Sequence, residues 1–218
     1  MKKQIIIFII FSNLLAGNIE APKLFQYNQS TFQAFYFFKN VMIDSVFLEP
    51  DDWVGTFNCM EWDTDSTYCR KLGSCVGSRR WNTEKCGGGI CDLPAMGNVG
   101  DSTQKTKGYL ESGQYPVFLI YDKSQGTYHR TKTFGDVVIQ QDICRNGYPY
   151  CYAWDNFNFY FIEGINGEGI YMDCTGKLGG TSIIDACGAC AGSGPQFHCD
   201  ENGKSYCTEY EHEQNCSK

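Results

Sequence analysis

Thirteen cysteines in a chain of 218 residues limit the fold more than any other feature. Whether they are thiols, metal ligands or disulfides decides how much stability an apolar core must supply. The N-terminus bears on the matter. Lys2 and Lys3 precede the apolar run 5–11 and then small residues at Ala16 and Gly17, the pattern of a secretory signal peptide. The apolar stretch ends near Leu15, short of the roughly 20 residues that cross a bilayer. A cleaved leader is therefore expected over a retained anchor, and no later segment is long enough for membrane insertion. A secreted chain matures where cysteines pair.

Pairing by proximity joins Cys59 to Cys69, Cys86 to Cys91 and Cys144 to Cys151, although Cys75 is near enough to capture Cys86 or Cys91 instead. Cys174, Cys187, Cys190, Cys199, Cys207 and Cys216 crowd the last 45 or so residues, and spacing alone does not fix their connectivity. The odd count leaves one thiol, for which Cys75 is the candidate. Such a thiol is buried and inert, reactive, or bridged to a second molecule. The last outcome, or non-covalent association, would make an oligomer.

Without Lys2 and Lys3 the chain carries 16 basic against 25 acidic residues, near −9. The basic pairs Arg70-Lys71 and Arg79-Arg80 are isolated. Phosphate backbones and anionic membrane surfaces need clustered cations, so nucleic acid is not an expected partner.

No stretch of ten or more residues repeats apolar side chains at helical spacing. Short β-branched and aromatic runs, 31–38, 41–48, 53–57, 116–122, 127–134, 136–141 and 157–162, alternate instead with Gly, Asn and Asp clusters. The turn 123–126 between two of them predicts a hairpin. The expected fold is mainly β, an antiparallel β-sandwich with a small disulfide-rich C-terminal extension. Its parts are a signal peptide at 1–17, a β-sandwich module at 18–170 and a Cys-rich tail at 171–218. The tail is too short and polar to hold itself by a core.

The segments DDWVGTF, CVGSRRW and CGGGICDLPAMG within 51–97 resemble a β-sandwich module of large secreted and cell-surface proteins, mostly of marine and gliding bacteria. The likeness spans roughly 27–133. It implies an extracellular accessory module rather than an enzyme. The chain departs from it by inserting the segment 59–69 and by reading MGNVGD where a more acidic loop is expected. The stretch DCTGKLGGTSIIDACGACAGSG at 173–194 resembles one copy of the Asp-Cys-Gly repeats that are similar to thrombospondin calcium repeats. That likeness implies a stalk or adhesion architecture.

Calcium takes six to eight hard oxygens. Asp173, Asp185 and Asp200 are the candidate ligands, although the dense Asp-x-Asp-x-Asp spacing of a calcium loop is missing; solvated turn aspartates are the alternative. Cys187 and Cys190, with Cys174, Cys199 and His198, have the spacing of a zinc site, but export favours disulfides. His129, His198 and His212 are the three histidines, and no GxSxG elbow accompanies them. Glycoside hydrolysis would draw two carboxylates from Glu61, Asp63, Asp65, Asp155 and Glu163. The sequon Asn28-Gln29-Ser30 is a glycan acceptor in a eukaryotic host.

Aromatic residues make up 15% of the chain, and flat rings stack on sugar faces. Trp53 and Trp81 sit in strand-like runs and are expected in the core. Trp62, in the acidic insertion, and Trp154 with its neighbour Asp155 are the candidate ligand contacts. The expected function is a secreted, non-catalytic structural or adhesive module with an extracellular glycan or protein partner. A carbohydrate-binding module is the alternative and a secreted hydrolase the third reading.

Overall fold

The computed structural model describes residues 20–64, 68–100, 104–139, 142–144, 151–200 and 203–216. The chain is mainly β, with a small disulfide-rich C-terminal extension. Nine strands among the described residues form one sheet: β1 (Gln33–Ile43), β2 (Val46–Phe47), β3 (Trp53–Trp62), β4 (Cys69–Arg80), β5 (Cys91–Met96), β6 (Val117–Asp122), β7 (Thr127–Ile139), β8 (Asp142–Cys144) and β9 (Phe159–Met172). The order is β2-β1-β9-β7-β6-β3-β4, with β5 also on β1 and β8 on β7. All neighbours are antiparallel except β1 and β9.

The two layers of the sandwich come from this one sheet folding over, so that its end strands β4 and β5 meet. The Thr56 hydroxyl donates to the Pro94 carbonyl at 3.2 Å. Gly77 on β4 lies so close that a Cβ there would stand 1.8 Å from the same oxygen. Only a residue without a side chain permits that approach.

Alternation on β1 sends Ala34, Tyr36 and Phe38 inward, where they join Val54, Leu93, Phe118, Ile120, Tyr160 and Ile165. A second cluster lies on the opposite face of β3 and β6. There Phe25, from the N-terminal segment, makes edge contacts with Phe57 and Tyr128 at 5.5 and 5.4 Å. Covering both faces explains why β3 is buried continuously from Val54 to Asn58 rather than at alternate residues.

The turn 123–126 closes the β6–β7 hairpin as its composition predicts, with Asp122 and Thr127 paired across it. The Asp122 carboxylate accepts from the Ser124 hydroxyl at 2.7 Å and the Gln125 amide at 2.9 Å. Runs read separately at 31–38 and 41–48 differ from the observed elements: β1 continues through both, then turns at Asp44 and Ser45 into the short β2.

Beyond Met172 the tail is a ladder of two equivalent rungs. Asp173 accepts from the backbone amides of Thr175, Lys177 and Ser182, and Asp185 accepts from those of Cys187, Ala189 and Gly194. Each aspartate therefore holds amides two, four and nine residues ahead. The bridges Met172–Leu178 and Ile184–Cys190 repeat the same shift, as do the left-handed Gly179 and Ala191 at φ 62° and 54°. At Gly180 and Gly192 a Cβ would strike the aspartate Oδ2 at 2.0 and 2.1 Å. The period is twelve residues.

After the rungs come the hairpin β10 (Phe197–Cys199) with β11 (Lys204–Tyr206) and the helix α1 (Glu209–Cys216). Disulfides link successive units: Cys174–Cys190 joins rung to rung, Cys187–Cys207 joins rung to hairpin, and Cys199–Cys216 joins hairpin to helix. No described helix is long and apolar enough to cross a membrane.

Candidate functional site

A cleft of about 440 Å³ opens where the tip of the β3–β4 hairpin meets β6, β7 and β9. The hairpin supplies Trp62, Tyr68 and Cys69, β6 supplies Val117 and Phe118, β7 supplies residues 130–133, and β9 supplies Glu168. Pro116 and Tyr152 complete the described lining.

Local structure fixes each wall. Trp62 pairs with Cys69 at the end of the hairpin, and the disulfide Cys59–Cys69 clamps the arms just behind it. Asp63 closes the turn, its amide donating to the Tyr68 carbonyl at 2.8 Å and its carboxylate accepting from the Tyr68 amide at 3.1 Å. The segment around Trp62 is therefore strand up to the turn rather than an inserted loop. Trp62 is half-buried and Tyr68 is 50% exposed, so both rings meet solvent.

On β7, Arg130 lies 4.0 Å from the ring centre of Tyr68 and 4.6 Å from that of Tyr171. One of its N–H groups donates to the Cys69 carbonyl at 2.8 Å. Lys132 binds the Glu168 carboxylate at 2.6 Å. The Thr131 hydroxyl donates to the Phe118 carbonyl at 2.9 Å. Tyr152 is almost wholly buried, and that burial raises its phenol above the ordinary range. The cleft thus combines flat aromatic walls with charged and hydroxyl groups, the composition of a small-molecule site.

Trp154 is not part of it. It is 3% exposed and sits in the core, because its indole N–H donates to the Ala95 carbonyl at 2.9 Å and burial leaves no polar group unpaired. The polar neighbours that made it a contact candidate point away: Asp155 is exposed and accepts from the Ser112 hydroxyl at 3.1 Å. Trp81 is in the core and Trp53 packs half-buried against the Phe25 cluster.

The three calcium candidates are not brought together. The oxygens of Asp173 and Asp185 are taken by amides of their own rungs, and Thr175 also donates its hydroxyl to Asp173 at 2.6 Å. The Thr175 hydroxyl and the rung amides hold Asp173 down at about 2, and the amides, Ala189 first, lower Asp185 as well. Asp200 stands apart on the hairpin turn, facing His198 at 3.6 Å. No cluster of three metal-ligating side chains occurs among the described residues. The cysteines read as a zinc alternative are disulfides.

Cys86 and Cys91 are bonded to each other. Of the expected pair Cys144 and Cys151, Cys151 is disulfide-bonded; the side chain of Cys144 lies outside what the structure describes. Asp65 also lies outside them. Cys75 is the free cysteine, buried, its thiol pushed up to about 12 by burial. A thiol so placed is not available to bridge two molecules, which removes the sequence argument for a disulfide-linked oligomer.

Sequence reasoning missed Tyr68, Arg130, Lys132, Tyr152 and Glu168. The alternation of TYHRTKTF puts Arg130 and Lys132 on one side of a strand, but nothing in the sequence brings Tyr152 beside them. It also missed an outer aromatic face, where Phe35 stacks on Phe159 at 5.8 Å and Phe37 on Phe161 at 4.7 Å across the β1–β9 pair. Phe159 and Phe161 are 48% and 46% exposed.

Comparison with known proteins finds no family model, no curated protein and no solved structure that matches this chain.

Proposed function

We propose that this chain is a secreted, non-catalytic glycan-binding module whose cleft at Trp62 and Tyr68 holds a saccharide, with the tail as a spacer. The cleft carries the reading: flat rings offer the apolar contact that sugar C–H faces need, while Arg130, Lys132, Glu168 and the threonines offer groups for hydroxyls. A single carboxylate, Glu168, lies in the described lining, and it is held by Lys132. Glycoside hydrolysis works with two. The disulfides and the leader pattern support export, and the resemblance to secreted accessory modules supports a binding rather than a chemical role.

The test is depletion of the protein from solution by a panel of insoluble polysaccharides and cell-wall material. Saturable retention on one polymer, lost in Trp62→Ala with thermal unfolding unchanged, is the expected result. No retention across the panel would return the chain to the structural or adhesive reading. The stacked Phe35, Phe37, Phe159 and Phe161 favour that second reading, since half-exposed aromatics in a continuous stripe mark contact surfaces. It would then show as concentration-dependent association abolished by Phe161→Ser.

A further inference from the structure

We propose that the cleft selects a carboxylated saccharide, such as a uronic-acid unit, and that Arg130 is the group that binds its carboxylate; this rests on the glycan-binding reading.

Among the described residues three arginines are half-buried, namely Arg79, Arg80 and Arg130. Arg79 pairs with Asp92 and Arg80 with Asp51. Arg130 pairs with no carboxylate among the described residues, although Glu168 is its cross-strand neighbour, because Glu168 is turned to Lys132 instead. A guanidinium has five N–H donors in one plane. Arg130 donates one N–H to the Cys69 carbonyl and lies over the rings of Tyr68 and Tyr171. Its other N–H groups have no acceptor among the described residues, and a guanidinium fork is suited to bidentate capture of a carboxylate.

Charge agrees with geometry. The whole chain has a net charge of −7, yet the charged lining of the cleft, Arg130 and Lys132 against Glu168, is positive. Among the described residues of the lining the one carboxylate that would repel an acidic sugar, Glu168, is already paired with Lys132. Trp62 remains for the sugar's apolar face, so one site holds both a stacking surface and an anion-binding fork.

The test measures the binding of the full chain to oligogalacturonate, oligomannuronate and hyaluronan fragments, each beside its methyl-esterified counterpart. At least one acid form is expected to bind tenfold or more tightly than its ester, with an affinity that falls as salt rises. Arg130→Gln is expected to bring acid and ester to the same affinity, Arg130→Lys to recover part of the preference by charge without the fork, and Trp62→Ala to weaken both forms. Thermal unfolding of each variant is followed in parallel. If Arg130→Gln does not fold, the preference and salt dependence of the unaltered protein decide. Equal binding of acid and ester, or a preference that survives in Arg130→Gln, would overturn the role of Arg130 while leaving glycan binding in place. Failure to bind any saccharide, here and in the polysaccharide panel, would overturn both.

Discussion

The sheet spanning 33–172 and the tail from Asp173 to Cys216 are solutions to the same problem at different sizes. In the sheet, Tyr36, Tyr160, Phe38, Leu119, Ile120 and Ile165 are fully buried, and removal of apolar area from water carries the stability. Among the described residues of the tail the buried ones are Asp173, Gly180 and Cys199. It has almost no apolar interior to hide. Its order comes from three disulfides and from carboxylates that satisfy the amides of their own turns. A short polar segment thus becomes rigid by cross-links and local hydrogen bonds, with the carboxylates of Asp173 and Asp185 engaged by the amides of their own turns.

The contrast breaks most visibly under reduction. Each tail bridge closes a separation of 16, 20 or 17 residues, for which chain entropy gives about 3 kcal/mol apiece. Under reductant, hydrogen exchange of 173–216 should rise to that of an unfolded chain while β1, β7 and β9 stay protected. In the opposite direction, Tyr36→Ala should destabilise the sheet by about 4 kcal/mol in a denaturant melt and leave the three tail bridges formed by mass spectrometry.

Smaller effects sharpen the picture. Gly180→Ala and Gly192→Ala should each loosen one rung, raising amide exchange at Lys177 and Ser182 or at Ala189 and Gly194, because the added Cβ displaces the aspartate. Acid should act on the two regions in different ranges. Burial lowers His129 in the sheet from its ordinary 6.5 against the opposing pull of Asp122 and Asp44. The folded state therefore takes up that proton less readily than the unfolded one, and its stabilising share, complete above about 6.5, drains as pH falls. The share from Asp173, complete above 3.8, is lost only as pH approaches 2. Melts from pH 7.5 to 5 should decline in the unaltered protein and flatten in His129→Gln. The smallest expected effect is that of a chelator: none on melting and none on polysaccharide retention.

Most strands were legible because β-branched and aromatic runs broken by turn residues have one common structural outcome, and Asp122 with 123–126 reads directly as a hairpin turn; β4 and β5 carry no such run, and the runs 127–134 and 136–141 are one strand, β7. Trp154 was misread because flanking polarity says nothing of where an indole N–H will find a carbonyl. The twelve-residue rung escaped notice because the matching residues are few, chiefly Asp173 with Asp185, Gly176 with Gly188 and Gly180 with Gly192. The cysteines, which draw the eye, fall at unlike positions in the two copies. In the cleft only Trp62 was foreseen. Arg130 and Tyr152 meet it through sheet order, which no local pattern encodes.

The most direct measurement is an amide and indole NMR titration of the full chain with fragments of the polysaccharide that retains it. Shifts at the Trp62 indole, Tyr68, 116–118 and 130–133, with 173–216 unmoved, are the expected result. Shifts concentrated in the tail, or no retained polysaccharide to titrate, would contradict a glycan site built by the sheet.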